Sequence, residues 1–388
     1  LNAVTLREPH FGQNGRGAGT VPVSGGGLLD LGTATNGIGI GASGAGTLDI
    51  EAGGTVALHG TSGLGIGKNV GGSGLLLVNG PNALLTEGAT DTGIGVGQAA
   101  AGTVEVTNGG TIILNTAGTS SGIGIGQTAG VHGLVLVSGS GSLLELNTPN
   151  SGVSVGQAGQ GTLEVLSGGT AWLNDGNGIV IGPAGAVGTV AVAGAGSSLT
   201  TTGTVAGSGV TVGRQGTGTL SVSGGGVLND GAELKVGAGG TGNGSVTVNA
   251  GTLEAGWLSI GAGGTGVVTV SGGGQVVLGG LQSSNIGSAS GGTGTVVVSG
   301  GTLSAQGGIL STGTNGSVPK GSLFVGSNTS GALNVAGNGL VDATGNTVTI
   351  GQQGTGAVAI TGGGTLDANL IEVVWAADVG TLSLSVTD

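Results

Sequence analysis

Apolar residues alternate with small or polar ones over short runs along this chain, and glycine-rich corners break the runs. Residues 37–58, GIGIGASGAGTLDIEAGGTVAL, show the pattern in full. IGIG, GTLDI and GGTVAL each have period two, the spacing that sends successive side chains to opposite faces of a strand. No segment sustains a 3.6-residue period, so helices are not expected. Runs this short cannot stand as lone hairpins, and an Asn-Gly or Asp-Gly turn signal is not systematic.

The stretch recurs. An apolar-x-apolar-Gly element ends at Gly41, Gly67, Gly97, Gly126, Gly156, Gly182, Gly213, Gly237, Gly261, Gly287, Gly326 and Gly351. Most steps are 24 to 31 residues, and one of 39 carries an insertion over residues 304–322. A GTLxV-type run and then a GG-x-apolar run follow each of these glycines. Three short strands per step, each stacked on its equivalent in the next, describe an all-β parallel β-helix. The handedness of parallel crossovers makes it right-handed. The repeats at 19–369 predict about 13 to 14 turns. Residues 1–18 read as a lead-in or N-terminal cap, and 370–388 as a degenerate last turn or a junction to a further domain.

A longer period overlies the first half. Copies at 46–58, 102–114 and 161–173 alternate with copies of the type GLLLVNGPNALL, so the duplicated unit is two turns, near 57 residues. The alternation assigns an interior. Ile38, Ile40, Leu64, Ile66, Ile94, Val96, Ile123 and Ile125 point inward from first strands. Leu48, Ile50, Val104, Val106, Leu163 and Val165 do so from second strands, and Val56, Leu58, Ile112, Leu114, Ala171 and Leu173 from third strands.

Composition narrows the class. With 100 glycines in 388 residues, the chain has collagen-like abundance but no Gly-every-third-residue period. Its strict apolar patterning argues against disorder. The net charge is −12 with only 6 Lys and Arg, which disfavours nucleic acid and anionic membrane surfaces as partners. No run of 18 apolar residues occurs, so no helical membrane span is expected. The absence of cysteine excludes disulfide and thiolate chemistry. It also suits a chain exported unfolded through a membrane pore. Starting at Leu1 without a leader pattern, the sequence reads as a fragment of a longer precursor.

The units GIGASGAGTLDIEAGGTV and GLVLVSGSGSLL resemble the passenger-domain repeats of bacterial type V secretion (autotransporter) proteins, from Gly19 to Leu366. The resemblance implies export to the outer-membrane surface through a C-terminal β-barrel lying outside this sequence. It also implies a role in adhesion to host cells or extracellular matrix, or in self-association.

Catalytic and cofactor chemistry find little footing. GxGxxG occurs at 39–44, 237–242 and 261–266, but none opens a helix, and a quarter-glycine chain yields it by chance. His10, His59 and His132 lack neighbouring ligand-type residues, so neither a metal nor a cofactor is expected. Asp49, Glu105 and Glu164 share one outward column in alternate turns, at a separation near the upper limit for an inverting glycosidase. A solvated face with its charges kept apart is the plainer reading. The chain therefore reads as a non-enzyme.

Binding has more candidates. Leu77 and Leu136 alternate with those acids, with Leu75 and Leu134 beside them; they are either exposed for a partner or covered by a loop. Gly39, Gly65, Gly95 and Gly124 form an outward first-strand strip, either bare for another backbone or packed under preceding loops. The strip continues as Ser154, Val180, Thr211, Lys235 and Ser259. Trp172 replaces the outward Ala57 and Ile113 of equivalent turns and should be exposed. Phe324 is read as outward too, and Trp257 and Trp375 as corner or cap residues. The expected function is non-catalytic surface adhesion, with an inert β-helical stalk as the alternative and a polysaccharide-acting enzyme as a second.

Overall fold

The computed structural model describes residues 3–6, 10–12, 18–31, 37–59, 63–88, 93–115, 122–148, 151–202, 209–280, 284–289, 291–305, 322–373 and 379–384. The chain is a parallel β-helix of about 12 turns. One sheet collects the second strand of each turn, and the first and third strands belong to the other. A representative turn is Ile38–Ile40, Ala45–Ile50 and Thr55–Leu58. The next is Leu64–Ile66, Ser73–Asn79 and Leu84–Glu87, stacked in parallel register on the first.

Like stacks on like because every strand repeats the same alternation. Ile40, Ile66 and Val96 form one inward column, and Ile50, Val78 and Val106 another, all 0% exposed. Every residue assigned inward from the sequence is buried. A turn of this kind has no core of its own and buries its apolar residues against its neighbours.

Each first strand ends at a glycine whose conformation is demanded by stacking. Gly97 has φ +70°, and its N–H donates to the Ile66 carbonyl of the preceding turn at 2.9 Å. A Cβ there would sit 2.6 Å from the His132 carbonyl oxygen of the following turn. Backbones therefore meet where a side chain has no room.

The two-turn period has a cause in the corner between second and third strands. Ser142 is buried; its hydroxyl donates to the Ser138 carbonyl at 2.8 Å and accepts the Gly109 N–H of the preceding turn at 3.1 Å. Ser197 repeats this with Ala193 and Gly168. Where Ala83 stands in the same place, the N–H of Gly53 finds the Pro81 carbonyl at 3.1 Å instead. The corner N–H is satisfied either way, as a low-dielectric site requires.

Contacts divide the chain into two units, Leu1–Gly182 with Ala186–Ser208, and Pro183–Gly185 with Gly209–Asp388. In the first, third and first strands are separate elements, as in Thr111–Leu114 and Gly122–Ile125. In the second, several are fused into one long strand, such as Val227–Ala238, Thr252–Ala262 and Leu340–Ile350. The fused strand still turns a corner, seen as a register shift between Asp230 and Glu233. Asp230 holds that corner: its carboxylate oxygens accept the N–H groups of Val210 at 3.0 Å and Ala232 at 3.1 Å. Burial raises its pKa to about 6 against the lowering effect of those two bonds.

The ends join the same columns. Ala3–Leu6 pairs with Leu28–Leu31, and His10–Phe11 with Gly39 and Ile40. Thr365–Val373 and Gly380–Leu384 extend the two sheets at the other end. The 306–321 part of the insertion, with Lys320, and Trp375 lie outside the described residues.

One expected exposure is corrected. Phe324 occupies the outward register, beside Asn285 and Thr349, yet is only 1% exposed. Thr211, Ser259 and Thr349 on the same kind of strand are also buried. The outer face of the first strands is thus largely covered in this unit, and orientation in the pleat does not equal exposure.

Candidate interaction surface

The second-strand face follows the expected register. Asp49 pairs with Leu77, Leu77 with Glu105, Glu105 with Leu136, and Leu136 with Glu164. Leu75 and Leu134 flank them in a column with Thr47, Thr103 and Thr162. All seven of the acids and leucines are half-buried. Each leucine lies in register between carboxylate or threonine residues of adjacent turns. A shallow depression of about 350 Å³ lies between Leu75, Thr103 and Glu105.

Of the two alternatives for the glycine strip, bare or covered, the structure shows cover. Gly39, Gly65 and Gly95 are buried and Gly124 is half-buried. Side chains from the following corner cover the strip: a Cβ on Gly65 or Gly95 would meet the Gln98 amide, and one on Gly95 or Gly124 the Gln127 amide. Gln157 reaches Gly124 in the same way. The glycines make room for a stack of amides, an arrangement that suits in-register parallel strands. Beside the stack runs a groove of about 400 Å³, bordered by Ser151, Asn177 and Lys68, whose Nζ donates to the Gly37 carbonyl at 3.2 Å.

The glutamines escaped sequence reasoning. Their signal is visible in GVGQ, GIGQ and SVGQ, where the residue after each corner glycine is repeated. Glu87 was also missed: it stands in the inward column between Leu58 and Leu114 and is 1% exposed. The alternation in LLTE places it inward, but a carboxylate in a leucine column runs against the pattern.

Trp172 is 51% exposed, on the outer face of the third strand Thr170–Asp175. Glu145 is its partner on one side and Thr200 on the other. In the column beside them, Asn147 Nδ2 donates to Glu145 Oε1 at 2.8 Å and to Asn115 Oδ1 at 2.9 Å. The Thr202 hydroxyl donates to Asn174 Oδ1 at 3.0 Å.

The sequence candidates therefore form three groups rather than one patch: acids and leucines on second strands, glycines on first strands, and Trp172 on a third strand. Among the described residues, no three His, Asp or Glu side chains cluster as metal ligands. His59 lies 4.0 Å from Asp30, and Lys235 pairs at 2.9 Å with Glu233, which also accepts the Ser259 hydroxyl at 2.6 Å.

No family model and no curated protein matches the chain. Among solved structures it is similar to the crystal structure of the TibC-catalysed, hyper-glycosylated TibA55-350 fragment, at 18% identity and a TM-score of 0.47. That likeness covers 100% of this chain and 98% of the other. It is too distant to carry function across.

Proposed function

We propose that this chain is a non-catalytic segment of an exported bacterial surface protein, adhering to host cells or matrix or to copies of itself. The observation behind this reading is the column Asp49–Leu77–Glu105–Leu136–Glu164, with Leu75 and Leu134 beside it. Half-buried leucines there interrupt an outer surface otherwise rich in Gly, Ser and Thr, and a partner would gain by covering them. The column reads acid, leucine, acid, leucine, acid, and so is symmetric about Glu105. Two copies meeting antiparallel and offset by one turn set each leucine against an acid's aliphatic stem rather than acid against acid. Many such contacts between two surfaces add to avidity.

Beads coated with the purified chain should clump, and the joint replacement of Leu75, Leu77, Leu134 and Leu136 by Ser should abolish clumping while circular dichroism stays unchanged. Undiminished clumping by the folded variant would reject this face. Wild-type beads that neither clump nor hold to cells or matrix would indicate a stalk.

A further inference from the structure

Trp172 is the most exposed tryptophan or phenylalanine among the described residues: Trp257 is half-buried, and Phe11 and Phe324 are buried. The fold does not call for an indole here, since Ala57, Ile113 and Thr200 occupy the same column in other turns. Glu145, Asn147, Trp172 and Asn174 form a square of outward side chains, two from each of two paired strands. Neighbours across the strands are about 4.8 Å apart, and neighbours along a strand about 7 Å.

The hydrogen bonds within this square leave defined groups over. Asn147 spends both N–H groups of its amide on Asn115 and Glu145. Asn174 accepts from Thr202 through Oδ1, which leaves its Nδ2 as a donor. Glu145 has one oxygen engaged by Asn147, which leaves Oε2 as an acceptor. An acceptor on the paired strand and a donor two residues along thus neighbour an exposed indole.

We infer that Trp172, Glu145 and Asn174 form a binding site for a neutral hexopyranose ring of a glycan. A pyranose presents C–H bonds on one face, which are attracted to the negative face of an aromatic ring. Hydroxyls on different carbons of the sugar ring can donate to Glu145 and accept from Asn174. An uronic or sialic acid is disfavoured: Glu145 repels it, and the columns Ile113–Glu145–Trp172–Thr200 and Asn115–Asn147–Asn174–Thr202 carry no Lys or Arg to receive it. The site deepens the adhesive reading and rests on it for its use in the cell, where many weak contacts act together.

The test follows the indole N–H signals of the 15N-labelled full chain during titration with methyl β-galactopyranoside, methyl α-mannopyranoside and methyl β-glucuronide. Trp172→Phe assigns the signal. At least one neutral hexoside should shift it saturably and the glucuronide should not. Followed by the backbone amide signals of Glu145 and Asn174, Trp172→Ala should weaken binding about tenfold or more, as truncation of an aromatic anchor does, and Glu145→Gln should weaken it severalfold. The inference is overturned if neither neutral hexoside shifts the Trp172 signal, or if the glucuronide binds equally well. Clumping separates the two ideas: Trp172→Ala should lose sugar binding and still clump, and the leucine variant should do the reverse.

Discussion

Gly97 and Gly95 are two residues apart and spared a side chain for different reasons. At Gly97, φ is +70° and a neighbouring turn's backbone occupies the Cβ position. At Gly95, only the ends of Gln98 and Gln127 are in the way, and flexible side chains can give. Gly97→Ala should therefore lower the unfolding free energy by about 2–4 kcal/mol, combining left-handed strain with overpacking. Gly95→Ala should cost about 1 kcal/mol, the low end of an overpacking cost. Urea unfolding of the two variants checks the order. Sequence alone marks both as glycine, because repetition shows where the residue recurs and says nothing of which atoms exclude a side chain.

At the scale of the element, the fused strand Val227–Ala238 depends on Asp230 to close its corner. Its folded pKa of about 6 exceeds the ordinary 3.8, so between those values the folded state binds more protons than the unfolded one. Stability from this group is present below about pH 4 and is lost as pH rises through 6, by up to about 3 kcal/mol. The stability difference between wild type and Asp230→Asn should thus shrink from pH 4 to pH 7, measured by urea unfolding at each pH. A difference that grows with pH would contradict the buried-corner account. The shortening of the copies after residue 214 is visible in the sequence. The carboxylate corner is not, since the Val210 N–H lies 20 residues from its acceptor.

For the whole molecule, a net charge of −12 at pH 7 and an isoelectric point near 4.3 set repulsion between copies against contact through the leucine face. Clumping of chain-coated beads should strengthen as salt rises from about 10 to 150 mM, where the Debye length falls from about 30 to 8 Å. It should strengthen again as pH falls toward 4.3, where the net charge vanishes. Clumping that weakens with salt would point to ion pairs between copies instead.

The chain's own alternation was enough to specify a parallel coil, its interior columns and the pairing of Asp49 with Leu77 through to Glu164, because strand stacking copies local pattern from turn to turn. Exposure was another matter. Phe324 and the glycines at 39, 65 and 95 face outward in the pleat yet are buried, and Trp172 faces outward and is open. Which outward residues meet solvent depends on side chains arriving from neighbouring turns, such as Gln98 over Gly65, and that arrival is decided only when the turns are stacked.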